Sequence, residues 1–487
     1  MTFDNTKPQG PRPGAAPHDS GTPANLVTFM LKDWNHDLRE RPVPHGHVSA
    51  FQRRREAISK LFVNELLILS TGHLKTRNGD EFYPFRAASD FYYLTGNQEP
   101  DCVLVLVPEG EAHRATLFVE PNAGKADASF FLDRIKGELW EGARDGVPES
   151  VVRYGIPDTR SLAELEVFVK EQVSAHTKLR VLRGYSEKLE TWIRRESKEQ
   201  LELDKQFAAA LSEVRLIKDE LELEELRGVI DATHRGFEDV IRRMKTANNE
   251  RELEGVFFTR ARVEGNWVGY KPVVAAGAHA CTLHWRKNNG AVKGGELLLL
   301  DAGVEGNSLY TADITRVLPV SGKFTQEQRE IYELVLSAQR AAMAEVKPGN
   351  DFMAPNRAAM QVLAHGLEQL GILSTSAEEA LREENQFYRR YSVHNVSHML
   401  GLDVHDCALA RAEVYKLGAL VPGMVLTVEP GLYMQPDDLT IPKRYRGIGV
   451  RIEDDVVVTA TGCENLSAKI PTSVDDVERW IETIWAS

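Results

Sequence analysis

The chain has 487 residues, 42% hydrophobic and 27% charged, enough for a full hydrophobic core in two or three domains. Its 59 basic residues against 72 acidic ones give a net charge of −13 with no dense Lys/Arg stripe, which argues against nucleic acid as a partner. The four cysteines (Cys102, Cys281, Cys407, Cys463) lack CxxC spacing and suggest neither a zinc knuckle nor a disulfide framework but a reduced cytoplasm, while the N-terminus shows neither a basic signal region nor an apolar run long enough for a membrane.

Residues 1–23 are rich in Pro, Gly, Ser and Thr and are expected to be disordered. The next stretch, 24–39 (ANLVTFMLKDWNHDLR), suits one short amphipathic helix, and 1–47 together read as an N-terminal extension. SAFQRRREAISKLF then has apolar residues at helical spacing, with RRR at 53–55 expected on a solvated face. NELLILST and DCVLVLVP read as buried strands, ATLFVEP and RVLR as further strands, and LAELEVFVKEQVSA as a helix. This alternation predicts an α/β domain over 48–213.

From Glu196 to Lys245 the pattern is helical, and VRLIKDELE near 214–222 marks the seam to a second domain, 214–487. There ERELEGVFFTRARVEG gives another helix, followed by strands in VGYKPVVAAG, ELLLLDAGV, YTADITRVLPV, MVLTVEPG and VRIEDDVVV. Two helices interrupt them: TQEQREIYELVLSAQRAAMAEV, with Thr325 and Gln328 spaced as a capping box, and NRAAMQVLAHGLEQLG. The fold class is therefore α/β to α+β.

Carboxylates inside apolar strands are costly to bury unless something neutralises them. LLLLDAG ends its run in Asp301, and YTADITR returns Asp313 after a loop that suits a hairpin. The two aspartates are expected to face one another across neighbouring antiparallel strands. TVEPGLY supplies Glu429 and GVRIEDD supplies Glu453. The two-residue period of a strand sets Arg451 on the Glu453 face, where it is expected to orient that carboxylate. YSVHNVSHMLGLDVHD adds His394, His398 and His405; HxxxH without HExxH carries little by itself. Four negative charges balance two divalent cations. Hard oxygen ligands with one imidazole suit manganese or cobalt and leave zinc open. Two such ions roughly 3.5 Å apart can share a water and lower its pKa to make hydroxide at neutral pH.

Together LLLLDAG, YTADITR, SHMLGLDVHD, TVEPGLY and GIGVRIEDD resemble the pita-bread metallopeptidases, and among them the Xaa-Pro aminopeptidases (aminopeptidase P) of bacterial type. The resemblance runs from residue 48 onward and includes YPFRAASDFYYLTGNQEPD; nothing carries over to 1–47. It implies an N-terminal α/β domain followed by a pita-bread catalytic domain of two α/β halves with the metals between them. It implies further that Asp301 chelates one metal, Asp313 and Glu453 bridge both, and His398 and Glu429 bind the other. Glu429 would double as proton shuttle, His284 in ACTLHW would help stabilise the tetrahedral intermediate, and His405 would bond the proline carbonyl. His394, Tyr433 and Arg451 would wall the proline pocket. The implied substrates are peptides with proline at the second position, the implied assembly a homodimer or homotetramer, and the implied place the cytoplasm. Two other readings stay open: a prolidase limited to Xaa-Pro dipeptides, and a pita-bread protein that binds peptides without cutting them.

Overall fold

The computed structural model describes residues 21–35, 41–176, 178–193 and 198–487, so the disorder expected of 1–23 falls almost wholly outside the described residues. The chain forms two compact units, one up to Leu211 and one from Ser212 onward.

The first unit is built on a five-stranded mixed sheet. Its strands lie in the order Asp158–Ser161, Ala112–Val119, Val103–Glu109, Leu66–Ser70, Leu179–Val181. The two longest form a hairpin whose turn needs Gly110 at φ +64°, a conformation that side-chain-bearing residues rarely adopt. Leu66, Ile68, Val103, Val105 and Phe118 pack with Phe168 and Val169 of helix Leu165–Ala175 into this unit's core. Helix Val48–Leu61 forms as expected, but its arginine run is not all solvated. Arg54 and Arg55 are buried: Arg54 lies over the Tyr93 ring at 4.3 Å, and Arg55 Nη1 donates to the Leu94 carbonyl at 2.7 Å. A stacked guanidinium and a charge-assisted bond account for that burial. The helix foreseen in 24–39 is Ala24–Met30 and buries no residue; Trp34 beyond it packs on Phe131 at 5.9 Å.

In the second unit, the long helical stretch breaks at 215–219. Helix Glu220–Met244 then begins with a capping box between Asp219 and Glu222. Strand Leu297–Ala302 lies between Val273–Ala276 and Ile314–Pro319, antiparallel to both. Its side chains alternate between two cores. Leu298 and Leu300 pack with Phe237 and Ile241 of helix Glu220–Met244, Phe257 of helix Glu250–Glu264, and Val477 and Ile481 of helix Val474–Ala486. Leu297 and Leu299 join the other core with Ile331 and Val335 of helix Gln326–Ala344 and Leu363 of helix Ala354–Gln369. The Thr325–Gln328 capping box forms.

VRIEDDVVV, expected as one strand, is two. Gly449–Arg451 pairs with Gly431–Tyr433, and Asp454–Val458 pairs with Val425–Val428, the chain changing partners at Ile452 and Glu453. Helix Val474–Ala486 was not foreseen, although Ser473 caps it and Val474, Val477, Ile481 and Ile484 recur at helical spacing. Among the described residues no helix is long and apolar enough to cross a membrane.

Candidate metal centre

Directly opposed residues of antiparallel strands point to the same face. Asp301 opposes Thr315, and Thr315 in turn bridges Glu453, whose N–H donates to the Thr315 carbonyl at 3.2 Å. Asp301, Thr315 and Glu453 therefore form one row across three segments. Asp313, two residues before Thr315, joins that face one step along. The two aspartates are thus diagonal neighbours rather than directly opposed. They continue the row of Leu297 and Leu299 and emerge from that core at its edge. At Gly303 the hairpin closes so tightly that a Cβ would sit 1.7 Å from the Ala312 carbonyl oxygen, so only glycine fits there.

A second layer approaches from 396–400 and strand Val425–Val428. Leu426 and Val428 face the core, which sends Thr427 and Glu429 the other way. Thr427 N–H donates to the His398 carbonyl at 2.9 Å, and Glu429 N–H to the Val396 carbonyl at 2.8 Å, which fixes His398 beside Glu429. His398 Nε2 lies 3.3 Å from Asp313 Oδ2 and 3.3 Å from Glu429 Oε1. Its Nδ1–H donates to the Met399 carbonyl at 3.1 Å, which turns Nε2 toward the carboxylates.

These donors fit divalent cations. Asp313, His398 and Glu453 each offer one ligand atom, all within 4.8 Å of one another. Asp301 Oδ1 is buried without a hydrogen-bond partner, an orphan that a cation would satisfy. Burial, then the neighbouring Asp313 and Glu429, push the Glu453 carboxyl well above its ordinary range. Burial likewise raises Asp301, although Arg451 opposes it, and lifts Glu429 to about 7. Several carboxylates this close cannot all ionise without positive charge among them.

Arg451 acts on Glu453 by its charge and through Thr315, not by a direct hydrogen bond as the strand period suggested. The break at Ile452 turns it to Asp301, with which its Nη2 forms a close ion pair, while Nε donates to Thr315 Oγ1 at 3.1 Å and Nη1 to the Tyr433 hydroxyl at 3.0 Å. Thr315 Oγ1 bonds Glu453 instead. The Tyr433 hydroxyl donates on to His394 Nε2 at 2.7 Å, and His394 Nδ1–H donates to the Asn395 carbonyl at 2.8 Å. Burial, then the charge on Arg451, hold His394 neutral, its imidazole lowered to about 4. His405 is exposed and meets His398 edge-on at 4.5 Å between ring centres. His284 is exposed too; burial, then the charge on His398, lowers the His405 imidazole, and His284 is a lesser cause for it and for His394. The ring stacked on Trp285 is His279, at 3.9 Å, not His284.

All ten residues singled out from sequence thus gather around one centre. Others were missed. The Tyr270 hydroxyl bonds Asp313 Oδ1, and Asp455 Oδ2 accepts the Asp313 N–H at 3.1 Å. Thr427 Oγ1 donates to Glu429 Oε1 at 3.1 Å. A tyrosine in a bend, like Tyr270, or a threonine inside a strand, like Thr427, has no pattern that marks it; Asp455, a third acid in IEDD, was the one visible hint.

Metallopeptidase family M24 matches residues 224–460, and the N-terminal domain of aminopeptidase P matches 51–182. Xaa-Pro aminopeptidase 1 of Streptomyces coelicolor is 48% identical over 470 residues, covering 95% of this chain and 93% of that protein. The Xaa-Pro aminopeptidase of Escherichia coli is 32% identical over 448 residues, covering 88% and 96%. Among solved structures, the low-pH form of Escherichia coli aminopeptidase P superposes with a TM-score of 0.81 at 30% identity, over 90% of this chain and 99% of that one. The same protein with the inhibitor Pro-Leu gives 0.80 at 30% identity, over 91% and 100%.

Proposed function

The chain belongs to metallopeptidase family M24, and from that premise we propose that it removes the N-terminal residue from peptides whose second residue is proline. It is a metalloexopeptidase with an N-terminal aminopeptidase P domain, here taken as 48–213, before a catalytic domain taken as 214–487. Asp301, Asp313, His398, Glu429 and Glu453 would hold two divalent cations, manganese in our reading, which supply Lewis acidity and an activated water when bound.

The Xaa-Pro bond is a tertiary amide without an N–H, so the leaving nitrogen must gain a proton from the protein. Glu429 is suited to deliver it, because its carboxylate stands at the centre beside His398 and can take a proton as the carbonyl is attacked and return it to proline. His284 would bond the oxygen that gains charge, and His405 the carbonyl of the proline residue. The neutral His394, with Tyr433 and Arg451, would wall the proline ring. A reduced cytoplasm and a homodimer or homotetramer complete the reading.

The observation that favours an aminopeptidase over a prolidase is the commitment of Arg451. A dipeptidase must grip the free carboxylate of proline. Arg451 is buried and spends its guanidinium on Asp301, Thr315 and Tyr433, so it supports the metal site and offers no anchor to a substrate carboxylate. Pro-Leu, the inhibitor in the Escherichia coli structure, is what an Xaa-Pro-Leu tripeptide would leave behind. Steady-state kinetics on Xaa-Pro and Xaa-Pro-Yaa panels with added Mn²⁺ test this. Tripeptides should show the higher kcat/KM, and N-acetylated peptides should resist. Preference for dipeptides would replace the assignment by prolidase.

A further inference from the structure

His284 lies in the loop 277–290, which has no helix or strand beyond the single turn Gly277–Cys281. Four of its neighbours in the loop are exposed or half-buried: Thr282, Leu283, Trp285 and Arg286. Such a segment holds a side chain in place only if something outside it clamps the backbone.

The clamp is visible on helix Glu250–Glu264. Glu250, at the first position of that helix, is 0% exposed. Its Oε1 accepts the Ala276 N–H at 2.8 Å and faces His279 Nδ1 at 2.8 Å. Its Oε2 accepts Trp285 Nε1–H at 2.8 Å and the Gly290 N–H at 2.6 Å. One buried carboxylate therefore gathers donors from both ends of the loop and from its middle. The His279 ring stacks on the Trp285 indole, so the two side-chain donors also brace each other. Gly290 has to be glycine for this closure: a Cβ there would lie 2.4 Å from the His279 ring and 2.7 Å from Glu250 Oε1. One helical turn on, Glu254 accepts from Asn288 Nδ2 at 2.8 Å, and Asn288 also ties Val274 of the preceding strand and Pro272 just before it.

We propose that Glu250 is a positioning residue for the peptidase reaction, fixing the loop 277–290 so that His284, one residue before the clamped Trp285, is presented to the metal centre. This rests on the role given to His284 above. An acceptor-only carboxylate suits four donors, and glutamine of the same size does not: its amide would turn N–H groups against two of them. Misplacing a group by about 1 Å can cost on the order of 10²-fold in rate.

The test is a double-mutant cycle of Glu250→Gln and His284→Ala, assayed on an Xaa-Pro-Yaa peptide with metal content measured in every variant. E250Q should lose about 10- to 100-fold in kcat with KM little changed and metal retained. In the H284A background it should add less than about 2-fold, because the clamp then has nothing to present. E250Q should also be nicked faster by trypsin after Arg286 and Lys287 while the rest of the chain resists. Wild-type kcat in E250Q, or losses that simply multiply in the double variant, would overturn the proposal. Wild-type turnover in H284A alone would instead remove the role of His284, and trypsin would still report whether the clamp exists. If E250Q does not accumulate as folded protein, Trp285→Phe removes a single donor and runs the same cycle, with the same outcomes deciding it.

Discussion

Asp301 and Arg451 define how the centre works at the level of single side chains. Arg451 is buried, and burial alone would lower its basicity, but Tyr433 and the carboxylates around it keep it charged. It steadies Asp301 while leaving Oδ1 of that residue free for a cation. Replacing Arg451 by Lys would leave one ammonium where a three-way fork is needed, so R451K should weaken metal binding by about 10- to 100-fold. Titration of metal-free protein with Mn²⁺ measures it, and unchanged affinity would refute the role. Asp313→Asn should likewise lower both metal content and turnover, since it removes one of four charges that two cations offset. His405→Ala should behave differently: metals retained, kcat reduced by roughly 10²-fold. Loss of metal in H405A would mean that the ring touching His398 is a support for that ligand instead.

The segment 401–407 shows how an irregular element is held rigid. Asp406 is buried between Lys218, 2.9 Å from its Oδ2, and Arg215, 3.1 Å from its Oδ1. Its burial would raise its carboxyl, yet the two cations bring it down to about 2. A carboxylate depressed below its ordinary 3.8 stabilises the fold fully above that value and loses the contribution as pH falls from about 4 toward 2. Asp406→Asn should therefore flatten the acid limb of stability and, by leaving Lys218 buried without its counter-charge, cost about 3–5 kcal/mol near neutrality. Denaturant unfolding at pH 7 and at pH 3 checks both. The regular elements of this unit could be read from the sequence because hydrophobic period and caps are local signals: Leu297–Ala302 and the Thr325 capping box are examples. The four carboxylates of the candidate centre were legible because charge in apolar surroundings is anomalous, whereas His398 was singled out among its neighbouring histidines only by the family resemblance. What escaped depends on partners distant in the chain. The change of partner at Ile452 redirected Arg451 from Glu453 to Asp301, and no local pattern announces such a change. Arg54 and Arg55 escaped for the same reason, their partners Tyr93 and Leu94 lying on another helix.

Across the whole molecule, the two units differ in what they ask of the termini. Residues 1–23 carry no pattern able to pack, so their deletion should leave turnover and oligomer size unchanged; steady-state assay and light scattering decide, and a large drop in either would overturn that reading. The other end is different, because helix Val474–Ala486 fills a core that the strand carrying Asp301, Leu297–Ala302, shares. The proposed metal ligands come from three separate stretches, around Asp301 and Asp313, around His398, and from Glu429 to Glu453, with Glu453 held in place through Thr315 of the first stretch. On the ribosome this has a temporal meaning. A growing chain exposes Asp301 and Asp313 long before Glu453 emerges, so it cannot bring the proposed ligands together until nearly all of the second unit has been made. Premature termination products would lack Glu453 and so carry only part of the proposed site.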